Sequence, residues 1–411
     1  MNNSEVIIIG GGVSGLMCAN VLMEKNKRVL ILEKKHQPGL KLRITGKGRC
    51  NITNTKYKEE YLSHINNPRF FEYSFDNFDN RDLCNFFERR GLQLVEERGG
   101  RVFPKTGKAS DVFFNLIKPL ENSPLVSMEK NCRAENLIVK NNRVVGVNTS
   151  KGDFLANHVV ICTGGKTYPS TGSEGEGYFL ASQVGHNIKK PIPVLVGLRT
   201  RRGYEKELQN FLVKNCQVNI TDKFHKKITM FGDVILDEYG VSGPVILTLS
   251  RLLSEDMDKG KVFYINIDLK PKLSKEQLLK EIQQTFLQRR MEQVASVLRK
   301  WFAKPFIKEV LYICRLNGKT MAKNITQENI KDILWYMKDR KEKIIGDMGW
   351  KEAIVTKGGV SLNEIDAKTM KSKKIKGLSF CGEVMDLDAD TGGYNLQIAF
   401  STAKLCADSI Q

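Results

Sequence analysis

Four short stretches of this chain carry residue types whose spacing could do chemistry. The first is Gly10, Gly12 and Gly15, a G-x-G-x-x-G pattern enclosing Val13 and Ser14, with an acid, Glu33, further along. Such glycines permit a tight turn, close approach of backbone to a pyrophosphate, and tight packing of helix on strand, while the helix N-terminus holds the anion. Glu33 stands where a carboxylate accepts from ribose hydroxyls and repels a 2′-phosphate. The second is a basic loop, "KLRITGKGRCNITN", at 41–54. Gly46 and Gly48 would each cost roughly 1 kcal/mol against alanine in a helix, so the stretch reads as a loop. Its open N–H groups, Lys47 and Arg49 suit an anion. Cys50 lies in that polar, basic setting, which lowers a thiol pKa and raises reactivity; simple packing is the competing reading. The third stretch is Gly382-Glu383. The fourth, Thr391 to Asn395, is a glycine-rich helix entry whose amides and positive dipole end face an anion. Tyr168 and Tyr394 add hydroxyls that, with Cys50, are candidate proton donors.

The elements that must position these residues follow from pattern. Val6–Ile9 reads as a buried strand, the glycines open a helix, and Val29–Leu32 reads as a second strand ending at Glu33. This β-α-β unit does not separate NAD from FAD, because both carry ADP. Residues 137–165 read as a β-meander turning at Asn141-Asn142 and at Lys151-Gly152-Asp153, then a buried strand at 159–162. Near the C-terminus come a short strand, Gly382-Glu383, a loop with Gly392-Gly393 and an amphipathic helix. No second G-x-G-x-x-G follows a strand; "GSEGEG" at 172–177 precedes a helix instead. Pro191 and Pro193 mark an exit to an inserted domain, and "GWKEAIVTKGGV" at 349–360 marks a return. Within the insert, strand-like runs (217–220, 227–236, 261–269) give way to helices from Ser274 to about Lys343. The expected architecture is α/β: a Rossmann-type domain in two parts, 1–190 and 351–411, around an inserted mixed β plus helical domain, 191–350.

Composition narrows the class. The 411 residues, 41% hydrophobic and 27% charged, suit a globular protein of two domains. No apolar run nears the roughly 18 residues of a membrane span, and "SEVIIIG" starts a strand with no leader before it, so a cytoplasmic, membrane-free protein is expected. Nine cysteines without a CxxC, among them Cys18, Cys162, Cys381 and Cys406 in apolar contexts, argue against disulfides and zinc. His36, His64, His158, His186 and His225 are dispersed, so no metal site is expected. The net charge is +19. The insert holds 29 Lys and Arg against 19 Asp and Glu, a net +10. A field of that sign draws polyanions, although solvated lysines explain much of it.

The motifs "VIIIGGGVSGLMCA", "TGKGRCNITN", "ERGGRVFP", "CTGGKTYPSTGSEGEGY", "YGVSGPVILTLS", "TKGGVSLNEID" and "TMKSKKIKGLSFCGEVMDLDADTGGYNLQIAFSTA" run in order along essentially the whole chain. Together they resemble a family of two-domain bacterial flavoproteins, often grouped as BaiN/RdsA-like. It includes aminoacetone oxidases, bile-acid reductases and ribosomal-RNA dihydrouridine synthases. The resemblance implies FAD as cofactor and a glutathione-reductase-like, two-dinucleotide-binding variety of the Rossmann fold. It implies that Thr45, Gly46, Arg49, Cys50 and Asn51 line the FAD, and that Glu383 grips the ribityl chain. It extends the cofactor-binding set to Lys34, Lys41, Arg133, Ala134, Thr163, Gly164, Gly165, Asp390, Gly393, Tyr394, Asn395 and Leu396.

Flavin chemistry would then be hydride transfer to one carbon of a C=C bond and protonation of the other, by Cys50, Tyr168 or Tyr394. Two substrate classes stay open. One is structured ribosomal RNA, reduced from uridine to dihydrouridine, with basic helices at 272–306 (Arg289, Arg290, Arg299, Lys300) on phosphates and Trp301 or Phe302 stacking on bases. The other is a small molecule in an amine-oxidase or enone-reductase site, those helices then forming an ordinary bundle. A third reading is a non-catalytic, flavin-bound RNA-binding protein. NAD(P)H, if it is the donor, binds transiently over the flavin.

Overall fold

A computed structural model describes residues 4–224 and 226–411, so His225 lies outside the described residues. The chain forms two compact units: one runs up to Val194 and resumes as Gly349–Gln411, the other is Leu195–Met348.

Two wholly apolar, wholly buried strands, Val6–Ile9 and Val29–Leu32, begin the first unit. Strands covered on both faces read as continuous apolar runs, the mark of a parallel sheet. The sheet has five strands in the order Leu378–Phe380, His158–Ile161, Val6–Ile9, Val29–Leu32, Val126–Glu129, and every neighbouring pair is parallel. Strand order reverses at Val6–Ile9, and the crevice beyond the carboxyl ends at such a switch point is where open α/β sheets bind ligands. The first helix, Val13–Glu24, packs against the last, Tyr394–Ser409. That last helix is buried around most of its circumference, more than an amphipathic surface helix would be.

The expected meander is Ala134–Lys140, Arg143–Thr149 and Gly152–Leu155, all antiparallel. Asn141 and Asn142 both have positive φ (49° and 58°), the backbone of a two-residue hairpin turn. Pro191 and Pro193 are not a linker: they lie inside Ile188–Val194, paired antiparallel with Val355–Val360 and slipped between Lys189 and Ile192. A two-stranded ribbon tolerates prolines, which have no N–H to donate, where the strand is an edge.

In the second unit six strands close a barrel in the order Leu198–Thr200, Gly240–Ser242, Lys227–Asp237, Leu212–Asp222, Phe263–Asp268, Lys341–Asp347, the last pairing back with the first. A helix, Pro244–Asp258, interrupts the strand-rich half. Helix Lys275–Gln288 opens on a capping box between Ser274 and Gln277, as its sequence indicates. The helical run expected to about Lys343 ends at Lys338. Lys341–Asp347 is a strand, with Lys341 and Lys343 exposed and Ile344 buried, and it closes the barrel. The two units have separate apolar cores.

Candidate functional site

The glycine pattern forms a cradle with three distinct constraints. A Cβ on Gly10, whose φ is 106°, would lie 2.6 Å from the Cys162 carbonyl oxygen, and one on Gly15 would lie 2.0 Å from the Gly10 carbonyl oxygen. Those two positions are filled by backbone. A Cβ on Gly12 would meet nothing within 4 Å, so its face is open. Gly12 also caps helix Val13–Glu24 without any side-chain bond to the helix's first N–H groups. An uncapped helix N-terminus beside open space is what an anion occupies. Glu33 is buried beside it: Oε2 accepts from Gly11 N at 2.9 Å and Oε1 from Lys35 N at 2.7 Å. Burial pushes its carboxyl pKa up, and the two amide donors oppose that shift. Each oxygen keeps a further lone pair for a ribose hydroxyl. Cys132 N donates to the Glu33 carbonyl at 2.9 Å, which sets Arg133 and the buried Ala134 next in chain to the acid. Lys34 turns instead to Glu174 and Glu176.

The basic loop wraps tightly. Gly46, Lys47, Gly48 and Cys50 all have positive φ, and Cys50 N donates to the Thr45 carbonyl at 3.1 Å. Asn51 Oδ1 is buried without a hydrogen-bond partner among the described residues. Such an orphan is rare in a folded protein and marks a place for a ligand donor. Arg49, expected on the flavin, points elsewhere: its guanidinium pairs with Glu97 and lies 4.4 Å from the Phe103 ring centroid. Lys41 reaches Thr167 Oγ1 at 2.6 Å and Glu383 Oε2 at 2.8 Å. Glu383 Oε1 accepts from Thr356 N at 2.8 Å, so the acid expected on the ribityl chain sits in a Lys41–Thr167–Thr356 cluster. A Cβ on Gly165 would lie 2.2 Å from Thr356 Oγ1, which presses the Thr163-Gly164-Gly165 turn against this cluster. A Cβ on Gly382 would lie 2.3 Å from Ser14 Oγ, so Glu383 stands beside the dinucleotide helix. Thr167 and Thr356 carried no sequence signal, because their roles come only from meeting Glu383.

The C-terminal loop meets the basic loop. Gly393 (φ 99°) leaves no room for a Cβ, which would lie 2.4 Å from the Thr53 carbonyl oxygen. Thr53 Oγ1 donates to Gln397 Oε1 at 2.6 Å, and Asn54 Nδ2 to the Gly392 carbonyl at 3.2 Å. Gly393 caps Tyr394–Ser409 with no side-chain bond, leaving a second open helix N-terminus, at Tyr394, Asn395 and Leu396. Asn395 is spent on the loop itself, bonding Ala389 N and the Ala389 and Asp390 carbonyls. Asp390 holds His64 Nδ1 at 2.9 Å, and the His64 ring stacks on Tyr394 at 4.5 Å. His64, in a stretch with no motif, was not foreseen.

Burial makes none of the three candidate proton donors more acidic. Cys50 is fully buried, and desolvation pushes its thiol up to about 12, opposite to the lowering expected from its basic neighbours. Burial also raises Tyr394 and Tyr168, the latter half-buried with Lys41 Nζ 6.0 Å from its ring centroid. On the helices expected to hold RNA, Arg289 is clamped by Glu292, and Lys300 pairs with Glu281. Phe302 is buried against Phe306 and Tyr336, and Trp301 Nε1 donates to Glu281 Oε1 at 2.9 Å. Phe302 is therefore not offered to a base, whereas Trp301 is half-buried and Arg290 and Arg299 remain exposed. Among the described residues no helix is long and apolar enough to cross a membrane, and no cluster of three or more His, Cys, Asp or Glu could hold a metal.

A family described as "HI0933-like protein Rossmann domain" matches residues 4–409. A 3-dehydro-bile acid delta(4,6)-reductase of Clostridium scindens is 28% identical over 98% of both chains. A ribosomal RNA dihydrouridine synthase of Escherichia coli is 29% identical over 100% of this chain and 98% of its own. Among solved structures, a quinol-fumarate reductase with menaquinol molecules superposes with TM-score 0.51 at 14% identity, over 99% of this chain and 70% of that one, a likeness of fold.

Proposed function

The chain belongs to the HI0933-like Rossmann family, and from that premise we propose that it is an FAD-dependent oxidoreductase that saturates a carbon–carbon double bond conjugated to a carbonyl, with the uracil ring of ribosomal RNA as substrate. The observation that carries the cofactor is the open face of Gly12 at an uncapped helix N-terminus, with Glu33 beside it. FAD, when bound, supplies the hydride. The chain's own part is to hold and to protonate. The amides of Gly12 to Gly15 take the pyrophosphate, Glu33 takes ribose hydroxyls, and Asn51 Oδ1 accepts from the ligand. The open amides at Tyr394 to Leu396 would hold the electron-rich part of the flavin. NAD(P)H is the proposed electron donor.

The relatives' names support a double-bond reduction, because a dihydrouridine synthase and a delta(4,6)-reductase both describe loss of a C=C bond. The +19 charge favours the polyanion. The bile-acid relative, equally long in its match, keeps a small-molecule enone as the second reading.

Tyr168 is the proposed proton donor. It alone of the three keeps partial solvent contact, and a lysine ammonium lies beside its ring. Tyr168→Phe should leave reduction of the bound flavin by its donor unchanged and slow substrate turnover by about 10²–10⁴-fold. Cys50→Ala should keep turnover within about threefold. A reversed pattern moves the role to Cys50. The substrate is tested by mass spectrometry of ribosomal RNA from a strain lacking the gene. Loss of dihydrouridine supports the RNA reading, and unchanged dihydrouridine replaces it with the small-molecule one.

A further inference from the structure

The barrel's outward face carries an arrangement that the helices of the same unit do not. Cross-strand partners share a face, and residues two apart along a strand return to it. Thr221 pairs with both Lys227 and Tyr264, and Tyr264 pairs with Lys343. These four form one row across four strands. Four residues along the same strands, Gln217 pairs with Phe231 on the same face. Between the two rows Asn219 lies opposite Thr229 and Asn266, and Asn266 opposite Lys341; the two asparagines are buried and bond each other and the Lys338 and Arg340 carbonyls, while Thr229 and Lys341 at the ends of the row are exposed. The alternate positions, Val218, Ile220 and Ile265, are buried inside.

Phe231 is 60% exposed and Tyr264 38%, and Phe224, at the tip joining two of the strands, is 75% exposed. A core-forming barrel gains nothing from aromatic rings standing in water. Lys223, Lys227, Lys341 and Lys343 are exposed, and none is in an ion pair among the described residues. Three acids lie on these strands beside this face: two bond only backbone amides, which leaves their negative charge in place, and one is paired with a lysine. Asp222 accepts from Phe224 N and Lys226 N, Asp233 from Asn215 N, and Asp268 pairs with Lys338 at 2.6 Å. The face therefore combines four exposed lysines, an excess over the two unpaired acids, with exposed flat rings.

We propose that this face of Lys227–Asp237, Leu212–Asp222, Phe263–Asp268 and Lys341–Asp347 binds a single-stranded segment of RNA. The bases stack on Tyr264, Phe231 and Phe224, and the phosphates lie on the lysines. A peptide or a neutral small molecule would use the rings or the charge, whereas a single strand uses both at repeated spacing. Tyr264 and Phe231 lie two strands and four residues apart, about 10 Å across and about 13 Å along the sheet, a span that a few unstacked nucleotides cover. The inference rests on the reading of an RNA substrate.

The test is fluorescence anisotropy of the full-length, flavin-loaded protein with a labelled single-stranded fragment of ribosomal RNA, across a salt series. Tyr264→Ala should weaken binding by roughly tenfold or more, and Tyr264→Phe should restore it, because the ring does the stacking. Lys227→Glu with Lys341→Glu and Lys343→Glu should lower the slope of log K against log salt by about 0.7 for each phosphate no longer neutralised. Flavin absorbance and thermal midpoint should stay as in the unmodified protein, which separates a weakened surface from a failed fold. If the unmodified protein retains RNA in a salt-dependent way but these variants bind equally well, this face is excluded while the RNA reading stands. If the unmodified protein retains no RNA even at low salt, the RNA reading and this surface fail together.

Discussion

Gly12 and Gly15 lie three residues apart and are glycine for opposite reasons. At Gly15 a methyl group would collide with the Gly10 carbonyl oxygen at 2.0 Å, so the constraint belongs to the fold itself. At Gly12 the backbone (φ −80°) suits any residue, and a methyl group would touch nothing, so the constraint belongs to the ligand. Gly12→Ala should therefore leave the thermal midpoint of the flavin-free protein within about 1 °C while lowering FAD affinity tenfold or more. Gly15→Ala should destabilise the flavin-free protein by about 1–3 kcal/mol, the usual cost of forcing extra volume into packed structure. Differential scanning fluorimetry and flavin titration read both. Equal destabilisation by the two substitutions would mean that Gly12 is structural and the cradle is not a binding site.

At the scale of elements, the parallel sheet contains a titratable joint. His158 opens the strand His158–Ile161 and its Nε2 lies 2.9 Å from Ser379 Oγ, the middle residue of the neighbouring strand Leu378–Phe380. Burial pushes the imidazole down to about 4 from an ordinary 6.5. The native state thus refuses a proton that the unfolded chain accepts. The stability this contributes is fully present above pH 6.5 and is lost as pH falls through about 4, amounting to about 3 kcal/mol. His158→Asn should flatten that acid loss when urea midpoints at pH 7 and pH 4.5 are compared. An unchanged difference between the two pH values would place the acid sensitivity elsewhere. How much of the architecture could be read from sequence also divides by element. Val6 to Glu33 was legible because all its signals are local: an apolar run, a glycine turn, a second apolar run. The hairpin at Asn141-Asn142 was legible for the same reason, since those residues adopt positive φ on their own account. The closing barrel strand Lys341–Asp347 was not, because it follows a helix directly and its exposed lysines mimic a helix's solvated side. The partner of Arg49 was not either: Glu97 is brought to it only by the small sheet of Thr53–Asn54, Arg101–Pro104 and Leu94–Glu97. Of the site, the glycines and Glu33 were foreseen in place, whereas the Lys41–Glu383 pairing and His64 depend on segments that meet only after folding.

For the molecule as a whole, two separate apolar cores imply two cooperative units. Calorimetry should resolve two transitions, and FAD should move only one of them. At a concentration a hundredfold above its dissociation constant a ligand adds about 2.7 kcal/mol to the state it binds. That corresponds to a rise of roughly 5–10 °C in one midpoint with the other fixed. A single transition, or two that shift together, would show that the cofactor couples the units. The net charge of +19 acts at this scale too, drawing a polyanion from a distance before any single contact forms.

The first unit is written in two pieces on either side of the second, and its sheet is completed by Leu378–Phe380 along the edge of His158–Ile161. During synthesis, ribosomes add about 5–20 residues each second, so the nascent sheet waits roughly 10–40 s between Val194 and its final strand. Over that interval the edge of His158–Ile161 has no neighbour and helix Val13–Glu24 lacks Tyr394–Ser409, while the barrel can finish folding alone. The protein thus emerges with its middle complete and its beginning unfinished, and a chain cut short anywhere before residue 378 would expose a sticky strand edge to its neighbours.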